Sequence, residues 1–358
     1  MTGRNIKYSL LLFCLLLRPL ILAAQPTDYY STAEGLTGTT LQQALHDIID
    51  NHTVSTYEGL WTHFQSTDKK SDGTVWDMYS DIPGATPAYI YTFTTDQCGN
   101  YNAEGSCYNR EHSFPKSWFN DLLPMYTDLF HLYPTDGYVN GKRGNYPFGV
   151  TSSPSWTSTN GSKLGPSSYP GYSGTVFEPI NSYKGDFART YFYMAVRYFG
   201  EDTNWPRVSD MVDGSQLKPW ALAMLMGWDS NDPVSQKEKD RNNSVYLIQG
   251  NRNPFIDNPS YKDLIWGTPN GTCDNKIRSG IIRSWPNPAS ETVTFELPDH
   301  FAESYTISFV NISGRKLFSK TVTGQPVSVD VSSMETGMYI VIISGDNEVL
   351  MTRIVVLH

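Results

Sequence analysis

Asn109-Arg110-Glu111-His112-Ser113-Phe114-Pro115-Lys116 sets a carboxylate directly against an imidazole, with a basic residue close on either side. Those parts suit phosphodiester hydrolysis. A carboxylate holds a hard cation such as Mg²⁺ through oxygen. An imidazole takes a proton from water near neutral pH, and cationic side chains meet phosphate. The triplet Arg110-Glu111-His112 is too short to carry that conclusion alone, and the residues after it decide the matter.

Working outward, Asp128-Leu129-Phe130-His131-Leu132-Tyr133-Pro134-Thr135-Asp136 leads into Gly137-Tyr138-Val139-Asn140-Gly141-Lys142-Arg143-Gly144-Asn145. Pro134 interrupts what precedes it. Thr135 or Asp136 can cap a short helix carrying Tyr138 to Arg143, and Gly144 can end it. The helix then presents Asn140, whose amide oxygen can ligate a cation, beside Lys142 and Arg143. A geometric condition follows for the opening stretch. Neighbouring residues on a regular strand point to opposite faces, so if Glu111 and His112 serve one phosphate, the chain there is expected at a strand end or a bulge. His131 and Asp128 read as residues that pack or orient neighbours. Tyr101, Tyr108 and Trp118 are candidates to stack on bases, although core packing is the ordinary use of such rings.

The pattern elsewhere is of two domains after a leader. Arg4 and Lys7, the apolar stretch Ser9 to Leu22 and the small pair Ala23-Ala24 form a secretory signal over residues 1–24. No later segment is long and apolar enough to span a bilayer. Residues 25–270 mix helices with few strands. Helices are expected over Leu41 to Ile49 (capped by Thr39 or Thr40), Asp186 to Tyr198, Leu217 to Trp228 and Glu238 to Ile248. Tyr89 to Phe93 reads as a strand, and Ser152 to Gly174 as a long surface loop. A turn-rich boundary near Gly267 leads into a linker at 271–278. Residues 279–358 then show short β runs at Thr292, Tyr305, Lys316, Val327, Met338 and Val349, the pattern of a small all-β sandwich.

Cys98 and Cys107 flank a Gly/Asn-rich turn and, in an oxidising compartment, suit a disulfide closing a short loop. Cys14 leaves with the signal, and Cys273 has no evident role. The net charge of −9 argues against bulk attraction to nucleic acid. Between Ser106 and Gly200, however, eight Lys/Arg stand against six Asp/Glu, which leaves room for a local basic groove. No HExxH motif occurs, so a zincin protease is set aside.

Taken together, Arg110-Glu111-His112 with Pro115, Asp128-Leu129, Val139-Asn140-Gly141 with Arg143 and Asn145, Phe177-Glu178-Pro179, Lys184-Gly185-Asp186 with Ala188-Arg189, and Asn251-Arg252-Asn253-Pro254-Phe255-Ile256-Asp257 resemble the endonuclease I family. That family is the secreted and periplasmic branch of the His-Me finger (ββα-metal) nucleases, and the resemblance spans roughly Leu41 to Trp266. It implies an α+β fold: a helix-rich nuclease domain around a ββα-metal core, followed here by the β sandwich. It implies His112 as general base and Glu111 and Asn140 as protein ligands of one Mg²⁺, for which Mn²⁺ or Ca²⁺ can substitute. The implied activity is cleavage of DNA and often RNA, with little sequence preference and 5′-phosphate ends. The family's transition-state arginine lies in an insert that this chain lacks, and Arg189 and Arg143 are the candidates to replace it. Trp285-Pro286-Asn287-Pro288, Gly314-Arg315-Lys316 and Gly337-Met338-Tyr339 are similar to the C-terminal sorting domain of the type IX (Por) secretion system. That resemblance implies export to the cell exterior or surface through the type IX machinery. A monomer is expected. The alternatives from other classes are a surface nucleic-acid-binding or adhesive protein without turnover, and a strict extracellular ribonuclease.

Overall fold

A computed structural model of the chain describes residues 25–267, 282–297, 304–311, 316–345 and 349–358. The expected signal, the linker and Cys273 lie outside the described residues. The chain divides into two compact units, Met1–Gly267 and Thr268–His358. None of the described helices is long and apolar enough to cross a membrane.

In the first unit the helical periodicity is realised. Helix α1 (Gly38–Ile49) buries Leu41, Leu45 and Ile49, one face at helical spacing. It starts earlier than expected, with Thr37 rather than Thr39 or Thr40 at the N-cap. Helix α2 (Leu60–Thr67) follows. Strand β1 (Tyr108–His112) pairs antiparallel with β2 (Leu132–Asp136), and the chain turns at once into α3 (Gly137–Arg143). The expected cap of α3 is realised by Asp136, whose carboxylate accepts the Val139 N–H at 2.8 Å, while Gly144 closes the helix with φ of 54°.

Tyr89 to Phe93 does not form a strand. Its rings Tyr89, Tyr91 and Phe93 instead gather around Tyr108, and only the Tyr91 carbonyl is used by a neighbouring segment, accepting from Val75 N–H. The segment read as one long loop is partly ordered into β3 (Trp156–Thr157) and β4 (Lys163–Pro166), which pair with β5 (Thr175–Glu178). Gly and Ser tolerate such short pairings, but their composition signals turns first.

The core is built on α4 (Lys184–Arg197), nearly every residue of which is buried. A short hairpin, β6 (Val212–Asp213) and β7 (Gln216–Leu217), precedes α5 (Pro219–Asn231), which packs on α4. Then come α6 (Gln236–Gln249), started by a Ser235/Glu238 capping box, and the short α7 (Pro254–Asp257) and α8 (Tyr261–Trp266). A helix buried all round cannot be amphipathic, and α4 carries polar groups inward. These are satisfied in pairs, as with Arg189 and Glu238.

The second unit is all antiparallel β. Strands β8 (Arg283–Trp285), β9 (Thr292–Glu296), β10 (Ser304–Asn311), β11 (Lys316–Thr323), β12 (Val327–Asp330), β13 (Gly337–Ser344) and β14 (Val349–Val356) form two sheets, ordered β11-β10-β13-β14 and β12-β9-β8. Alternate residues of both sheets, among them Val293, Phe295, Ile307, Phe309, Val341 and Ile354, share one apolar core.

Candidate active site

Strand alternation divides the opening stretch between two surroundings. Asn109 and Glu111 face α3, whereas Arg110 and His112 face Tyr57.

On the α3 face, Glu111 is buried, with the Tyr79 hydroxyl donating to Oε1 at 2.8 Å and Arg143 Nη1 at 3.2 Å from the same oxygen. Burial raises the Glu111 carboxyl above the ordinary range, while Arg143 and the Tyr79 hydroxyl pull it back toward the charged form. Oε2 takes no hydrogen bond among the described residues. Asn140 lies on the same side, its Nδ2–H donating to Asn109 Oδ1 at 2.7 Å, so its amide oxygen is left without a protein donor. Two oxygens of the type that Mg²⁺ prefers are thus presented by β1 and α3, both uncommitted.

On the other face, His112 Nε2 lies 3.1 Å from the Tyr126 carbonyl. A carbonyl only accepts, so Nε2 carries the hydrogen and Nδ1 carries the lone pair. Nδ1 has no partner among the described residues and is not fully buried. Tyr126 stacks on the imidazole at 5.2 Å, with Tyr57 and His131 at 6.2 and 5.5 Å. Burial, reinforced by His131, Lys116 and Arg110, pushes the imidazole well below the usual histidine range. The ring is therefore neutral at pH 7, the form a general base needs. The imidazole is thus fixed at one nitrogen and available at the other.

The expected departure from regular strand geometry is only half met. His112 is the last residue of β1, but pairing is regular through Glu111↔Tyr133 and His112↔Leu132, with no bulge. The two side chains therefore leave opposite faces, and this regularity counts against a shared site. What tempers it is width: the sheet has two strands only, so one edge of β1 has no strand partner at these residues.

Both candidate arginines are buried and already engaged by protein acceptors. Arg143 is 1% exposed and donates to the backbone carbonyls of His112 (3.0 Å) and Ser113 (2.5 Å) as well as pairing with Glu111. It braces the end of β1 and neutralises Glu111 from behind. Arg189, also 1% exposed, is held by both Glu238 oxygens, by Asp229 and by the Asp232 carbonyl. Its ion pairs are internal, and four of its five N–H donors are already engaged in the buried scaffold. Arg110 is a brace as well, lying 3.5 Å over the Tyr57 ring and donating to the Tyr57 carbonyl. Asp128 accepts from Tyr193, Tyr198 and the Phe130 amide, an orienting role in the core.

Three residues that serve the site were not singled out from the sequence: Asn109, Tyr79 and Tyr126. Asn109 was within reach of the reasoning, since it lies two residues before Glu111 and so on the same face. Tyr79 and Tyr126 arrive by tertiary contact and carry no local signal. Away from this site, His46, Asp50 and Glu201 could offer three metal ligands within 4.8 Å of one another, but Arg197 already binds both carboxylates, at 2.9 and 3.1 Å. Cys98 and Cys107 are joined in a disulfide.

The profile of the family described as Endonuclease I matches residues 37–260, and that of a secretion system C-terminal sorting domain matches residues 283–357. The extracellular ribonuclease of Bacillus amyloliquefaciens is 37% identical over 254 residues, covering 68% of this chain and 80% of that protein. The extracellular ribonuclease of Bacillus subtilis (strain 168) is 34% identical over 252 residues, with the same coverage. An extracellular deoxyribonuclease of Aeromonas hydrophila is 25% identical over 236 residues, covering 60% of this chain and 86% of that protein.

Proposed function

The chain belongs to the endonuclease I family, and from that premise we propose a Mg²⁺-dependent endonuclease of low sequence selectivity that cuts DNA and RNA to 5′-phosphate ends. It is a nucleic-acid-hydrolysing enzyme that is secreted or carried at the cell surface. The observation that carries the mechanism is the His112 tautomer: Nε2–H committed to the Tyr126 carbonyl, Nδ1 free, and the ring neutral. His112 takes the proton from the attacking water at Nδ1.

Glu111 Oε2 and Asn140 Oδ1 fit a hard divalent cation. Both are oxygens, both lack a protein partner, and hydrogen bonds from Tyr79 to Glu111 and from Asn140 to Asn109 fix their carriers. A bound Mg²⁺ supplies stabilisation of charge developing on the phosphoryl and leaving oxygens. Two protein ligands suit this ion, which keeps most of its waters. Mn²⁺ and Ca²⁺ are the substitutes to test. Because Glu111 and His112 leave opposite faces, the scissile phosphate belongs at the open edge of β1. The β1-β2-α3 unit is the counterpart of a His-Me finger, and the C-terminal unit takes the chain out through type IX secretion.

The test is nicking of supercoiled plasmid by the purified mature protein, with Mg²⁺ and with chelator. Mg²⁺-dependent nicking that falls about 10²- to 10⁴-fold in His112→Ala is expected. No Mg²⁺-dependent nicking, or equal nicking by the variant, overturns the proposal. The names of the two Bacillus relatives favour a second reading, a strict ribonuclease. RNA and DNA of matched sequence, cut in parallel, decide between the two.

A further inference from the structure

Of the three rings named as stacking candidates, Tyr108 and Trp118 are core residues, whereas Tyr101 is 38% exposed. Its position is unusual. A Cβ built on Gly137 would meet Tyr101 Cδ1 at 2.6 Å and Cγ at 3.2 Å, and one on Gly141 would meet Oη at 2.5 Å and Cε2 and Cζ at 2.9 Å. Atoms from both edges and both ends of the ring approach the helix, so the ring lies flat along α3. Gly137, Asn140 and Gly141 share one face at i, i+3 and i+4, which puts the ring against the residue that presents its free amide oxygen. Among the described residues the ring's one aromatic neighbour is Tyr138, edge-on at 6.4 Å.

The loop carrying Tyr101 is held at both ends. The Cys98–Cys107 disulfide closes it, and Gly105 N–H donates to Asp136, the residue that caps α3. Gly141, inside a helix, costs roughly 1 kcal/mol relative to alanine, and the ring occupying the missing Cβ gives that glycine its reason. Lys142, with no carboxylate partner among the described residues, lies 5.2 Å from the Tyr138 ring centre.

We infer that Tyr101 is a nucleobase platform: its outer face stacks on an unpaired base of the nucleotide next to the scissile phosphate, on the Asn140 side, with Lys142 meeting a flanking phosphate. This rests on the active site proposed above. A base can lie on that face only when it has left its own stack, so the platform favours single strands and frayed duplexes. Alanine at a stacking ring costs roughly 5- to 140-fold in affinity per base.

The experiment uses a single-stranded DNA oligonucleotide carrying one abasic residue, compared with the intact sequence on a cleavage ladder. Wild-type protein is expected to skip the phosphate beside the abasic residue. Tyr101→Ala should cut both ladders alike, with the loss in KM rather than kcat and a reduced preference for single strands over duplex. Tyr101→Phe should behave as wild type. Gly141→Ala guards against a folding artefact, because it favours the helix while displacing the ring, and it should reproduce Tyr101→Ala without a fall in Tm. If Tyr101→Ala still skips the abasic position, or keeps wild-type KM, the platform is refuted. His112→Ala in the same assay separates the two claims: retained cutting refutes the active site, whereas lost cutting beside an unaltered Tyr101→Ala ladder refutes the platform alone.

Discussion

Replacing Arg143 by methionine separates a brace from a phosphate-binding arginine. The guanidinium holds the Glu111 carboxylate and the carbonyls of His112 and Ser113 in a site with 1% exposure. Methionine fills similar volume and leaves the buried carboxylate without its partner. Breaking a buried pair in this way costs about 3–5 kcal/mol. In a unit of this size each kcal/mol lowers Tm by about 2–4 °C, so a fall of roughly 6–20 °C is expected. Calorimetry in chelator measures it without any contribution from bound metal. Nicking measured well below the lowered Tm should also fall, since Glu111 loses the charge that favours its ionised form. An arginine acting on the transition state makes the opposite prediction: an unchanged Tm and a loss of about 10³-fold or more in kcat. That outcome would refute the bracing role and the buried geometry behind it.

Two further outcomes are expected. Burial and the nearby Asp136 carboxylate raise Asp77 to about 7; with an unfolded value near 3.9, its contribution to stability is present below that value and is lost as pH rises through 7. Stability should drop by about 2–3 kcal/mol between pH 5 and 8, visible in Tm, and Asp77→Asn should flatten that slope; an equal slope in both proteins refutes it. If Lys116 and Lys142 are the two cations that meet phosphate, KM for duplex DNA should depend on salt with a log–log slope of about 2, or roughly 16-fold between 50 and 200 mM. A slope of 6 or more would mean an extended basic groove.

The α1, α3 and C-terminal strand patterns were legible because each buries one face at a fixed period, or carries its own cap and stop. Asp136 and Gly144 frame α3 by local chemistry alone. Tyr89 to Phe93 misled because an aromatic run favours a strand only when a partner edge exists, and here the rings are used to cover Tyr108. At the site, residue types marked Glu111, His112 and Asn140, but a sequence does not say which nitrogen of a histidine is committed. That came from the Tyr126 carbonyl, fourteen residues away. The arginines show the limit most plainly. Arg143 and Arg189 have the right chemistry for phosphate, and only burial and partner geometry reveal that carboxylates and carbonyls already occupy them.

That occupation changes what the charge pattern means. Arg143, Arg189, Arg197, Lys237, Arg241, Arg252 and Lys262 are all buried and all ion-paired. Three of them belong to the mildly basic stretch between Ser106 and Gly200, whose composition left room for a local groove. These cations hold the scaffold, so they do not release counterions from a bound strand, and the chain's net charge of −9 stands against long-range attraction. Affinity must then come from short-range contacts. In the proposed site, Glu111 and Asn140 would hold a divalent cation toward the scissile phosphate, and the exposed ring of Tyr101 would meet the base beside it. An enzyme built this way discriminates by how easily a base leaves its stack rather than by its sequence. On the proposed reading, low sequence selectivity and a preference for unpaired strands would be two consequences of the same distribution of charge.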